Sequence, residues 1–168
     1  MIVQTMPYPP PAGGTAYRYI RLFFPDGADI NVSGRVGLRE VEIAATLGGP
    51  DQCSADASIN LSAAASSSNV TGSYLPRNAF DGITSSGNGW CSGTGAGVNA
   101  WIRYDFQTGI GSPAVCSEVR AWQGWTTVCG SPSRIVVQGS DDAATWTTLF
   151  ESAAGLSWSA GEMKTITA

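Results

Sequence analysis

The period of the apolar residues limits the fold of this chain more than any other feature. It is two in run after run, and nowhere 3.6 for long. In Tyr17–Phe24, the residues Tyr17, Tyr19, Arg21 and Phe23 share one face, and Arg18, Ile20, Leu22 and Phe24 share the other. Residues 100–106 alternate as cleanly, with Trp101, Arg103 and Asp105 opposed to Ile102, Tyr104 and Phe106. Further strands are expected at 36–43, 115–122, 133–140, 145–150 and 163–167. In 36–43, Val36, Leu38, Glu40 and Glu42 alternate with Gly37, Arg39, Val41 and Ile43, so that face turns polar, or reaches an ion, toward its end. Residues 44–76 are rich in Ala, Ser, Gly and Asn. A helix is conceivable at 55–65, but Ser is frequent and no apolar stripe is sustained, so short strands in loop are expected there. Seven or eight short strands with turn signals between them predict an all-β sandwich.

Composition agrees. The 168 residues suffice for one domain with a proper core. Only 13% of them are charged and 21 are Gly, which suits a turn-rich β domain better than a helical bundle with charged faces. A net charge of -4 and no basic run argue against nucleic acid as a partner, because phosphates need clustered Lys and Arg. No segment reaches the length of a membrane span, so no membrane insertion is expected. The chain contains no His, which removes Ser-His-Asp triads, Cys-His pairs and His-based metal sites. The acids are few, and Glu40 and Glu42 share a strand, so an enzyme is not expected.

Residues 1–16 form a separate Pro/Gly-rich arm ahead of a domain at 17–168. Pro7 and Pro9-Pro10-Pro11 favour polyproline II, and Gly13-Gly14 makes a joint. The arm reads either as a disordered leader or as an extended segment that docks on a partner. It has neither the charged start nor the apolar run of a signal peptide.

Asn78-Ala79-Phe80-Asp81-Gly82, followed by a polar loop to Trp90, carries turn chemistry beside oxygen ligands. Asp-Gly makes a tight turn, and a carboxylate with hydroxyls and amides nearby also suits calcium.

These blocks, with Ala100–Phe106, Ile135–Asp142 and Thr145-Trp146, resemble the discoidin (coagulation-factor type C) domain and the related family 32 carbohydrate-binding modules. The resemblance covers 66–167 and implies a galactose-binding-like jelly-roll sandwich. Tyr17–Leu22 and Leu38–Ile43 are similar to that family's closing strands but stand first in this chain. Either the domain is circularly permuted or it is cut from a tandem array, and Met1 together with an end just after a strand favours permutation. This order, with Gly48-Gly49-Pro50-Asp51 after the displaced strands, is similar to discoidin-like modules of tailed-phage structural proteins.

The resemblance implies a structural calcium held by Asp81, main-chain oxygens at Ala79 and Gly82, Asn88 and Glu40, with Glu42 as the substitute for Glu40. It places Trp90, Trp101 and Trp146 at packing positions. Sugar recognition would use one rim, with an aromatic platform and polar side chains for hydroxyls. If strands 101–106 and 115–122 form a hairpin, loops 90–100 and 123–132 share that rim. Trp125 is then the platform, unless it packs on another subunit. Asn99, Gln123 and Arg134 are the hydrogen-bonding candidates, and Trp158 is a second aromatic. Among Cys53, Cys91, Cys116 and Cys129 there is no C-x-x-C. Cys91 and Cys129 would meet on the rim, bridged or as thiols. The implied function is a non-catalytic module that binds a cell-surface glycan or capsid and tail proteins, within a phage virion and as a homo-oligomer where subunits meet. The alternative is a decoration protein with no glycan ligand.

Overall fold

The computed structural model describes residues 14–30, 32–70, 74–84, 89–124 and 127–168. Among the described residues, nine strands and two helices follow in order: β1 (Tyr19–Phe24), β2 (Gly37–Ala44), α1 (Ala57–Ala63), β3 (Ala64–Ser66), β4 (Trp90–Cys91), β5 (Ala100–Asp105), α2 (Phe106–Ile110), β6 (Glu118–Gln123), β7 (Val136–Ser140), β8 (Thr147–Glu151) and β9 (Met163–Thr167). A short 3-10 turn, Pro76–Ala79, precedes Phe80. The strands form a five-stranded sheet, β3-β5-β1-β7-β8, and a four-stranded sheet, β4-β2-β6-β9. All pairings within them are antiparallel.

The inner faces of the two sheets share one core. Ile20, Leu22 and Phe24 of β1 join Ile102 and Tyr104 of β5, and meet Leu38, Val41 and Ile43 of β2 and Val119 of β6. Phe24 stacks on Trp90 across the gap, with ring centroids 5.7 Å apart. Each such fully buried side chain contributes about 1.5–3 kcal/mol. The expected sandwich is therefore present, and the alternation in β1 and β5 chose the inward residues. Among the described residues no helix is long and apolar enough to cross a membrane.

Four expectations need correction. Residues 57–63 are helical: Asp56 caps α1 by accepting the Ser58 N–H at 2.8 Å, and seven residues are too few to display an apolar stripe. Strands β5 and β6 do not form a hairpin. They lie in different sheets, joined through α2, which Asp105 caps and Gly111 ends at φ 83°. Alternation also fails inside β2. Leu38 pairs with Gln123 and Val41 with Ala121, so one extra residue sits between them as a bulge. Leu38 and Val41 both reach the core, and Glu40 is turned into a separate buried place. Finally, Trp90 is fully buried, but Trp101 and Trp146 are half-exposed and stand outside the core.

Gly37 of β2 lies opposite Cys91 of β4, and its N–H donates to Gly130 O at 2.9 Å. A Cβ there would strike the Cys129 sulfur and come within 2.6 Å of Trp90 O. Gly37→Ala is expected to destabilise the fold by about 1–3 kcal/mol. Urea unfolding should show a lower midpoint at unchanged slope; an unchanged midpoint would mean these three segments part without cost.

Candidate functional site

Glu40 is wholly removed from solvent, and neither carboxylate oxygen has a hydrogen bond of good geometry. The Asp81 carboxylate faces it and the Gly82 N–H approaches it. Burial first, then the negative charge of Asp81, push the Glu40 carboxyl up to about 9, with the Gly82 N–H pulling the other way and Asp51 adding to the rise. Burial also raises Asp81, although its Oδ1 accepts the Ile83 N–H at 3.0 Å. A carboxylate shut away without donors costs several kcal/mol unless it takes a proton or a cation. The residues fit a hard cation in that sense: two acids converge where no Lys or Arg neutralises them. Among the described residues no third Asp, Glu or Cys completes a metal-holding cluster, so further oxygens would have to come from the main chain at Ala79 and Gly82 and from the loop toward Trp90. Asn88 lies outside the described residues. Glu42 is drawn elsewhere, since its Oε2 pairs with Arg120 at 3.0 Å, which leaves Glu40 as the acid that meets Asp81.

The support for this junction was not read from the sequence. Asn60 of α1 is fully buried and donates from Nδ2 to Ser54 O and Phe80 O, both at 2.7 Å. Tyr104 donates its hydroxyl to Asn60 Oδ1 at 2.9 Å and accepts the Ser54 N–H at 3.0 Å. Helix α1 thus clamps the carbonyl just before Asp81. Asp51 accepts the Ile43 N–H at 2.8 Å and the Cys53 N–H at 3.1 Å, closing the Gly48–Asp51 turn close enough for its charge to reach Glu40. The one signal for Asn60 was Asp56 two residues ahead of Ser58, a cap without a visible stripe behind it.

At one end of the sandwich three loops meet. The loop between β1 and β2 is the middle one: Asp29 N–H donates to Ser131 O at 2.7 Å, Ser133 N–H to Gly27 O at 2.9 Å, and Gly97 N–H to Gly34 O at 2.8 Å. Arg35 reaches both outer loops, donating to the Thr94 hydroxyl at 3.1 Å and to Val128 O at 3.5 Å. Loops 90–100 and 123–132 do share a rim, although the hairpin expected to bring them there does not exist. A cleft of about 230 Å³ between Asp26, Gly27, Ala28, Gly34, Gly97 and Val98 opens on it.

The five expected ligand contacts divide. Trp125 lies outside the described residues. Asn99 is exposed on the rim at φ 60°, its N–H held by Phe24 O at 2.9 Å. The other three side chains are engaged within the chain. Gln123 is buried, and its Oε1 accepts the Gly161 N–H at 2.7 Å. Trp158 donates from Nε1 to Pro132 O at 2.8 Å, under the Lys164 ammonium. Arg134 pairs with Glu151 at 2.6 Å. They brace the rim from behind.

No disulfide joins any of the four cysteines. Cys91 and Cys129 lie side by side in the interior, beside Gly37, as thiols that share a hydrogen bond. That bond and burial raise Cys91 above the ordinary thiol range.

The Glu40 geometry predicts a pH signature. A carboxyl whose folded value, about 9, stands above its ordinary 4.5 contributes stability that is fully present below the lower value and lost as pH climbs through the higher. In chelator, the melting temperature should therefore fall from about pH 5 to about pH 9, and Glu40→Gln should flatten that fall. Excess calcium should restore the wild-type melt at high pH and leave Glu40→Gln unmoved. A wild-type melt equally unmoved by calcium would leave a shared proton as the occupant. Compared with protein-family models, curated proteins and solved structures, the chain matches none.

Proposed function

We propose that this chain is a non-catalytic binding module of the discoidin kind, a jelly-roll sandwich in permuted strand order, which takes a carbohydrate at its rim. In this reading it belongs to a phage virion, as a capsid decoration or tail component. The Pro-rich residues 1–16 anchor it, and a calcium ion stiffens the junction of Glu40 with the Asp81 loop. The observation that carries the reading is the convergence of three loops on one rim, with Asn99 exposed on one of them. Rim loops on a rigid scaffold are where such domains place recognition. A catalytic role finds no support in the Glu40–Asp81 pair, because Glu40 does not reach solvent.

A second reading has its own observation. Gln123, Arg134 and Trp158 are engaged within the chain, while Val98 and Ile30 stand exposed on the rim, 63% and 41% accessible. An apolar rim of that sort suits contact with another subunit, in a decoration protein with no glycan ligand.

A glycan array and a galactose titration followed by Trp fluorescence separate the two. Saturable binding is expected, abolished by Trp125→Ala and weakened by Asn99→Gly, a change that keeps the left-handed backbone accessible. No response at millimolar sugar would end the carbohydrate reading. Deletion of residues 1–16 should then abolish incorporation into particles while the sandwich melts as before; retained incorporation would remove the anchoring role.

A further inference from the structure

The outer face of the five-stranded sheet carries two arginines that nothing in the chain neutralises. Arg21 of β1 and Arg103 of β5 are directly opposite each other across the strand pair. Like charges in that position are destabilising. Every one of the 13 acids lies within the described residues, since the remainder, 1–13, 31, 71–73, 85–88 and 125–126, contains no Asp or Glu. The nearest acids in sequence and register are committed elsewhere: Asp105 to Arg18 at 2.9 Å and Glu151 to Arg134 at 2.6 Å. Neither Arg21 nor Arg103 has an ion-pair partner.

Instead both lie over aromatic rings. The Arg21 guanidinium lies 4.0 Å from the Trp146 ring centroid and 5.3 Å from that of Phe23. Arg103 lies 5.0 Å from Tyr19 and 5.4 Å from Trp101. Arg21 is further fixed by donating from Nε to Gln138 Oε1 at 2.7 Å, and Gln138 donates on to the Thr148 hydroxyl at 3.2 Å. All these side chains are at least partly open to solvent. Two neighbouring guanidiniums that share one uncompensated double charge suit an oxyanion, because guanidinium recognises such groups bidentately.

We propose that Arg21 and Arg103 bind the carboxylate or sulfate of an acidic saccharide, laid along the open face of the five-stranded sheet between Tyr19, Trp101, Phe23 and Trp146. The anion follows from the unpaired guanidiniums; the saccharide rests on the proposed function. Aromatic edges around the pair suit the C–H faces of a sugar ring. A polynucleotide is disfavoured because only two cations here are unpaired, on a chain of net charge -4, and a phosphate backbone needs many more.

The test titrates the protein with trigalacturonate, a sulfated dextran oligomer, neutral dextran and poly-glutamate, reading Trp fluorescence at two salt concentrations. Binding of one or both acidic saccharides is expected, weakened by salt, with none for neutral dextran. Arg21→Gln with Arg103→Gln should weaken it at least about tenfold without lowering the melting temperature, because a like-charge pair is removed. Arg103→Glu gives Arg21 an internal partner; it should raise the melting temperature and abolish binding. Trp125→Ala should leave acidic-saccharide binding intact. Undiminished binding by the double Gln variant, or none by the wild type, overturns the proposal. Poly-glutamate binding as tightly through the same arginines also overturns it, in favour of an acidic polypeptide. Galactose binding lost in Trp125→Ala without any acidic binding would sink this site and spare the rim, and the converse result would do the opposite.

Discussion

The sandwich depends on two strands from the start of the chain standing at the centres of its two sheets. β1 is hydrogen-bonded on both sides, to β5 and β7, and β2 to β4 and β6. Their partners come from far along the sequence, so neither sheet closes until the first quarter of the chain is in place. The loop between β1 and β2 must pass from one sheet to the other. It therefore runs through the middle of the rim, and its Gly27, Asp29 and Gly34 collect the loops on either side. Rim geometry follows from sheet order.

The bulge in β2 is the second consequence. A central strand with an extra residue cannot keep its alternation, and the residue displaced at the bulge is an acid. Glu40 ends in a place closed to the surface, with no donor of good geometry, against Asp81. Around it the chain spends buried polar groups on orientation: Asn60 and Tyr104 hold the Phe80 carbonyl, and Asp51 closes the turn after β2. A buried carboxylate left without donors beside this network takes either a proton or a cation. The outer sheet face repeats this logic with the opposite sign, where Arg21 and Arg103 stand without acids.

Legibility followed period. The faces of β1 and β5 were readable because each strand is half-buried and unbroken, so Ile20, Leu22, Ile102 and Tyr104 declared themselves. Helix α1 was not readable, since seven residues held by the Asp56 cap and by Asn60 have no room for a 3.6-residue stripe. The same alternation that revealed β5 also put Trp101 on the outer side with Arg103. The expectation that Trp101 packs came from the family resemblance, and the local period was the better guide. The Asp-Gly loop was legible as turn chemistry, but which acid meets it depends on the tertiary structure, where Glu42 pairs with Arg120 and Glu40 faces Asp81.

By itself the sequence determined the β-sandwich class, the inward residues of its regular strands and the exclusion of His chemistry, because these depend on residue type and local period alone. The tertiary structure decided strand order, the bulge that buries Glu40, the separation of β5 from β6 and the pairing of Arg21 with Arg103. Each of these is a matter of register between segments distant in the chain. Register is set by competition among whole sheets for one core, and no window of neighbouring residues contains that competition.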